Sequence, residues 1–144
     1  MNGRRPQLAR GLAIVSCAFM AVPAVAGDAA SMPPVEEDYV LHCSACHGLD
    51  GAGANDVVPG LGGVGEVALR PGGRDYLMRV PGAAQSPVDD ARLARLLNWV
   101  IEEFGGVELE SPLTEHEVGR ARRAPLRDPG SARRALLDDP QPGP

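Results

Sequence analysis

The chain has 144 residues and a formal net charge of −5, and it contains no lysine, so every strong basic contact must come from arginine. That length fits a single domain, and with aromatic residues at only 3% of the total the core must be small. An acidic balance does not suit nucleic acid or an anionic membrane surface as partner; it suits a protein with a basic docking patch, or else serves solubility alone.

Residues 1–26 read as a signal peptide. Arg4, Arg5 and Arg10 make a basic start, Gly11–Met20 is apolar, and Ala24-Val25-Ala26 offers small residues for cleavage before Gly27. The apolar run falls short of the ~20 residues of a spanning helix, and Pro23 interrupts it, so no stable membrane anchor is expected. A lipoprotein attachment at Cys17 would leave only Leu12–Ser16 as the apolar stretch. The Arg4-Arg5 pair is by itself a weak signal for twin-arginine export. A periplasmic location follows from this reading. Cleavage removes three arginines and no acid, leaving −8. Residues 27–110 then carry five arginines against fourteen acids, or −9, while residues 111–144 carry six against five, or +1.

Pro33 and Pro34 open the first predicted helix, and Glu36, Glu37 and Asp38 fill its first turn, where acids complement the helix dipole. Val35, Tyr39 and Cys43 recur every four residues and predict one buried stripe. The stripe runs into Cys43-Ser44-Ala45-Cys46-His47, whose C-x-x-C-H spacing is the signature of covalent haem attachment. On the start of a helix, cysteines three apart face one side, so each thiol can add to one vinyl group of a porphyrin. His47 follows and can turn its imidazole under the iron. Other uses of the cysteines fit less well. A zinc site needs a second ligand pair, and only His42 and His116 remain. A thioredoxin-like redox pair needs a βαβ context that is missing. A disulfide would close too short a loop to stabilise a small core, whereas a domain of this size needs a staple or a cofactor.

Around this motif the sequence resembles the class I c-type cytochromes, over roughly Pro34 to Phe104, which implies an all-α, small cytochrome c fold with helices wrapped around one covalent haem c. Tyr39 stands four residues before Cys43, Gly48 follows His47, and Pro59-Gly60-Leu61 is similar to the P-x-L segment of that family. By that resemblance the Pro59 carbonyl accepts a hydrogen bond from the second ring nitrogen of His47 and Leu61 packs on the haem. A bond of this kind orients the imidazole and raises its basicity.

Gly48–Gly65 is predicted as a glycine-rich loop around the cofactor edge. Its Gly51-x-Gly53 is no nucleotide fingerprint, because no strand precedes it. Gly73–Val80 is predicted as a short helix carrying Tyr76, Leu77 and Met78, ended by Pro81-Gly82. Ser86 then predicts an N-cap, with Pro87 first in the next helix and Asp89 three residues after the cap. That helix has the clearest periodicity: Leu93, Leu96, Leu97, Val100, Ile101 and Phe104 share one face, with Arg92, Arg95, Glu102 and Glu103 pointing outward. Gly105-Gly106 stops it. By the family resemblance it crosses the first helix beside the haem, with Trp99 and Tyr39 at the contact.

The domain is therefore expected over residues 27–110, with a short C-terminal extension over 111–144. Thr114-Glu115-His116-Glu117 matches a capping box opening a helix through Arg123, and Ser131–Leu137 can be helical. The low apolar content of this extension predicts loose docking, with a disordered end from Asp138 onward.

The family resemblance implies a methionine as sixth iron ligand. Met78 is the only methionine beyond the haem motif, although Val80 holds the place before Pro81 where the family carries it. Should Met78 serve the core instead, the iron is five-coordinate or is reached by His116. His42 adjoins Cys43 and reads as a surface or haem-edge residue. These expectations imply a mono-haem electron carrier and no enzyme activity of its own, taking single electrons from a periplasmic dehydrogenase, with a quinoprotein dehydrogenase as one candidate partner, and passing them to an oxidase or another cytochrome. The alternative is a ligand-binding or sensing haem protein with an open iron site.

Overall fold

The computed structural model describes residues 34–54 and 57–138. The signal-peptide region, residues 1–26, lies outside these residues, as does the end predicted as disordered from Asp138 onward, except for Asp138 itself, which is helical. The described chain is all-α. It holds α1 Val35–His42, α2 Ser44–His47, a 3₁₀ turn Leu61–Gly63, α3 Val64–Leu69, α4 Gly73–Arg79, α5 Pro81–Ala84, α6 Asp90–Glu103, α7 Glu115–Ala121 and α8 Pro129–Asp138. Among the described residues the one β-type pairing is an isolated antiparallel bridge between Ala54 and Val58, and no helix is long and apolar enough to cross a membrane.

The core forms where α1, α3, α4, α6 and α7 meet. Leu93, Leu96 and Ile101 of α6 are each 1% exposed, and Val118 of α7 is fully buried. Full burial of such side chains contributes about 1.5–3 kcal/mol apiece before entropy is counted. Tyr39, Val67 and Ala68 bring α1 and α3 into the same cluster, and Leu77 and Met78 bring α4.

The periodic face of α6 is as predicted at Leu93, Leu96, Val100 and Ile101, but two other expectations on this helix need correcting. Its N-cap is Asp89, whose carboxylate accepts from the Arg92 amide at 2.8 Å, and not Ser86. The reason lies in the extension. Arg122 donates to the carbonyls of Ala84 at 3.1 Å and Val88 at 2.9 Å and to that of Ser86, and pairs with Asp90 at 2.9 Å. Residues 85–88 are thereby held as a bend, the carbonyls of Ser86 and Val88 committed to a guanidinium rather than to a helix. Nor do Arg92 and Arg95 point freely outward: both engage Asp38.

The stretch Gly48–Gly65 is not an uninterrupted loop, because the 3₁₀ turn and the start of α3 lie within it. α3 follows Gly63 and carries Gly65 within it, yet Val64, Val67 and Ala68 are buried at 7%, 2% and 3% exposure. Packing also needs glycine twice here. A Cβ on Gly65 would stand 2.5 Å from the Gly105 carbonyl oxygen, so α3 and the end of α6 meet backbone to backbone. Tertiary contact has overridden local propensity.

The extension is not loosely docked. Thr114 and Glu117 form the predicted capping box. Leu113 is 3% exposed, and Asn98 holds its backbone on both sides, donating to the carbonyl at 3.0 Å and accepting from the amide at 2.8 Å. Arg74 binds the Glu117 carboxylate at 2.9 Å, and the Leu126 amide donates to the Arg79 carbonyl at 2.8 Å. Further along, Arg70 donates to the Leu136 and Leu137 carbonyls at 3.2 and 3.1 Å, satisfying acceptors at the end of α8.

Candidate haem-attachment site

The motif spans the junction of α1 and α2 rather than the start of one helix. Pro34 precedes the first turn with φ −51° and ψ 144°, and Cys43 breaks the helical path at φ −125°. The chain still turns helically through the break: the Cys43 amide donates to Tyr39 at 2.9 Å, and the Ser44 hydroxyl donates to Val40 at 2.8 Å. Gly48 ends α2 at φ +78°, a conformation that glycine adopts without cost.

Beyond Gly48 the loop folds back on the motif. The Gly53 amide donates to the His47 carbonyl at 2.8 Å, and the Leu61 amide to the Gly51 carbonyl at 2.7 Å. These bonds bring Pro59 beside the imidazole, with its carbonyl oxygen 3.1 Å from His47 Nδ1. With Nδ1–H donating there, Nε2 keeps its lone pair and points its acceptor elsewhere. Leu61 packs against the edge of the core, as does Cys43.

Tyr39 holds this loop from the other side. Its hydroxyl donates to the Gly48 carbonyl at 2.6 Å, and burial pushes its pKa up. Its ring lies 5.4 Å from Trp99 and 4.9 Å from Phe104, centroid to centroid. Phe104 fills the space that a Cβ on Gly51 would need, at 2.6 Å. Tyr39 and Trp99 thus form one contact between α1 and α6, and Phe104 is a third partner that the periodicity had placed only on a core face.

Asp38 is the residue that sequence reasoning missed. It is fully buried, accepts from Arg92, and accepts from Arg95 at 2.9 Å. The hydrogen bond from Arg92 holds its carboxyl below the ordinary value, against the opposing effect of burial. The signal was present in its spacing: Asp38 stands three residues after Val35 and beside Tyr39, on the buried side of α1.

Both cysteines are free thiols, Cys43 half-buried and Cys46 exposed. Burial, with a smaller contribution from Cys46, pushes the Cys43 thiol up to about 11. That is the opposite of the lowered thiol of a redox-active pair. Among the described residues no group of three or more His, Cys, Asp or Glu side chains could hold a metal ion, so the zinc reading has no donor set there. A covalently held haem asks for less: two free thiols and one imidazole nitrogen, which Cys43, Cys46 and His47 offer. Exposed large apolar residues also gather near the motif in sequence, namely Val40, Leu41, Leu49 and Val57, at 49–85% exposure. Such surface suits contact with an apolar group.

Met78 is 5% exposed within the core. It lines an open cleft of about 580 Å³ with Arg74, Asp75 and Arg79 of its own helix and Glu117 and Ala121 of α7. His116 is exposed on α7, and His42 is half-buried in the last turn of α1. No family model matches the chain, and no curated protein matches it.

Proposed function

We propose that this chain is an exported mono-haem protein of the class I c-type cytochrome kind, carrying single electrons from a periplasmic dehydrogenase to an oxidase or another cytochrome. The observation that carries the reading is the bond between His47 Nδ1 and the Pro59 carbonyl, at 3.1 Å, inside a C-x-x-C-H motif with both thiols free. Haem c held there supplies reversible one-electron chemistry at iron, with a potential set by axial ligands, hydrogen bonds and burial.

The chain's own residues would do the rest. Cys43 and Cys46 tether the group, and His47 offers Nε2 to the iron. Pro59 fixes the plane of the ring and the position of its other proton. Tyr39 pins the Gly48 carbonyl, so the histidine stands on a backbone braced from both sides. The −9 charge of residues 27–110 favours a donor or acceptor with a basic surface, for which a quinoprotein dehydrogenase is a candidate.

The test is expression with a haem-attachment system, followed by haem staining on a denaturing gel. The chain should stain, and Cys43→Ala combined with Cys46→Ala should not. An unstained parent chain sinks the reading.

The burial of Met78 in the core, at 5% exposure, favours a second reading, a ligand-binding haem protein with an open iron site. Carbon monoxide added to the reduced protein separates the two. A carrier with Met78 on the iron resists it, and an open site binds it at once.

A further inference from the structure

We propose that the groove between α1, α6 and α7 is the docking site for a partner protein that presents an apolar side chain flanked by arginine or lysine. The groove is open and holds about 550 Å³. Ala94 and Leu113, 4% and 3% exposed, form its bottom, and half-buried Val35 and Trp99 form its apolar walls.

Charge decides what kind of partner fits. The cation in the groove, Arg95, is committed to Asp38 at 2.9 Å. The rim acids Glu102 and Glu115 are exposed, and among the described residues neither forms an ion pair. Asn98 has its amide oxygen and nitrogen engaged by the Leu113 backbone, so it stiffens the wall instead of offering free donors. An apolar floor with an unneutralised acidic rim complements an apolar anchor ringed by positive charge.

The groove is also wired to the haem-attachment site. Trp99 packs on Tyr39 at 5.4 Å, and the Tyr39 hydroxyl bonds the Gly48 carbonyl at 2.6 Å, one residue from His47. A partner seated on Trp99 therefore reaches the iron ligand's own backbone through two aromatic side chains. This link to electron exchange rests on the proposed function; the docking chemistry does not.

The experiment uses the reduced holoprotein under carbon monoxide, which keeps the iron diamagnetic whichever ligand it holds. The probe is tris(1,10-phenanthroline)chromium(III), a substitution-inert paramagnetic cation with apolar faces, added during amide NMR after excess reductant has been removed. Trp99 is the only tryptophan, so its indole N–H reports on the groove directly. Line broadening should centre on Trp99, Val35 and Leu113 and fade with salt. Glu102→Gln with Glu115→Gln should weaken it by about threefold or more, the scale of two exposed charge contacts, while Glu103→Gln leaves it unchanged. Broadening centred elsewhere, insensitivity to the double variant, or equal broadening by hexacyanochromate(III) overturns the proposal. So does probe binding that appears only after residues 27–33 are deleted, which assigns the groove to the chain's own leading segment. A concentration-dependent dimer that excludes the probe assigns it to a second copy and also overturns it. Haem content, measured on the same samples, separates a failure of the groove from a failure of the haem reading.

Discussion

Replacing Asp38 by asparagine should loosen the joint between α1 and α6 beside the C-x-x-C-H motif. The carboxylate is fully buried, whereas the Arg92 and Arg95 side chains retain 27% and 33% exposure. Removing one member of a buried pair costs about 3–5 kcal/mol when the survivor is stranded without water. Here both guanidiniums can turn toward solvent, and asparagine still offers one acceptor, so the cost should fall to about 2–3 kcal/mol. At about 3–6 °C per kcal/mol for a domain of this size, the melting temperature should drop by about 6–18 °C. The pH dependence has a definite sign. The folded-state pKa of Asp38 is lowered, so its contribution is present above the ordinary carboxylate value of about 4 and is lost as pH falls toward the lower, folded value. The variant should therefore lose stability at neutral pH and show a flatter acid limb. Circular dichroism melts of the holoprotein from pH 7 downward measure both. A melting temperature within about 2 °C of the parent at neutral pH would refute the buried pair as a structural link. Combining Asp38→Asn with Arg92→Gln should cost less than the two separately, by about 1 kcal/mol or more.

The pair between Arg74 and Glu117 makes a second pH prediction. The Arg74 guanidinium, helped by the Thr114 amide and hydroxyl, holds the Glu117 carboxyl down to about 2. Its stabilisation should persist above pH ~4.3 and disappear toward pH 2, and Glu117→Gln should remove that slope at a neutral-pH cost of about 1–2 kcal/mol, discounted for 29% exposure on each side. A parent and variant with parallel acid limbs would contradict it. Arg122→Met should cost about 2–4 kcal/mol, because it leaves carbonyls of residues 84–88 without their donor; limited proteolysis should then cut the extension, and an unchanged urea midpoint would count against the bend being held this way. Met78→Leu nearly keeps volume, so stability should change by less than about 1.5 kcal/mol. If the sulfur serves the iron, the variant gains carbon monoxide binding and its potential falls; if Met78 serves the α4–α7 cleft alone, spectrum and binding stay as in the parent. Loss of covalent haem in the double cysteine variant, described above, completes the set.

How much was legible in the sequence depended on whether the cause was local. The C-x-x-C-H motif, the acidic first turn of α1, the stripe on α6 and the capping box at Thr114 are short-range patterns, and each shows in neighbouring residues. The bond between His47 and Pro59 spans only twelve positions, and it was anticipated from a family resemblance instead of from spacing. Long-range pairing was not legible. Nothing near Asp89 says that Ser86 and Val88 will give their carbonyls to Arg122, thirty-four to thirty-six residues later. Without that partner, Ser86-Pro87 is the better local cap. α3 likewise forms because Gly65 and Gly105 let two backbones touch, a fact visible only when both ends are in place. The extension has few apolar residues, which locally predicts weak attachment. It docks because Leu113 and Val118 fall into one core and because arginines, in a chain without lysine, find carbonyls and carboxylates across it. The sequence by itself determined the chemistry that Cys43, Cys46 and His47 can offer. Only the tertiary structure decided that Asp38 and Met78 are buried and that Trp99 lies at the wall of a groove, because burial is a property of distant surfaces brought together and not of any one segment.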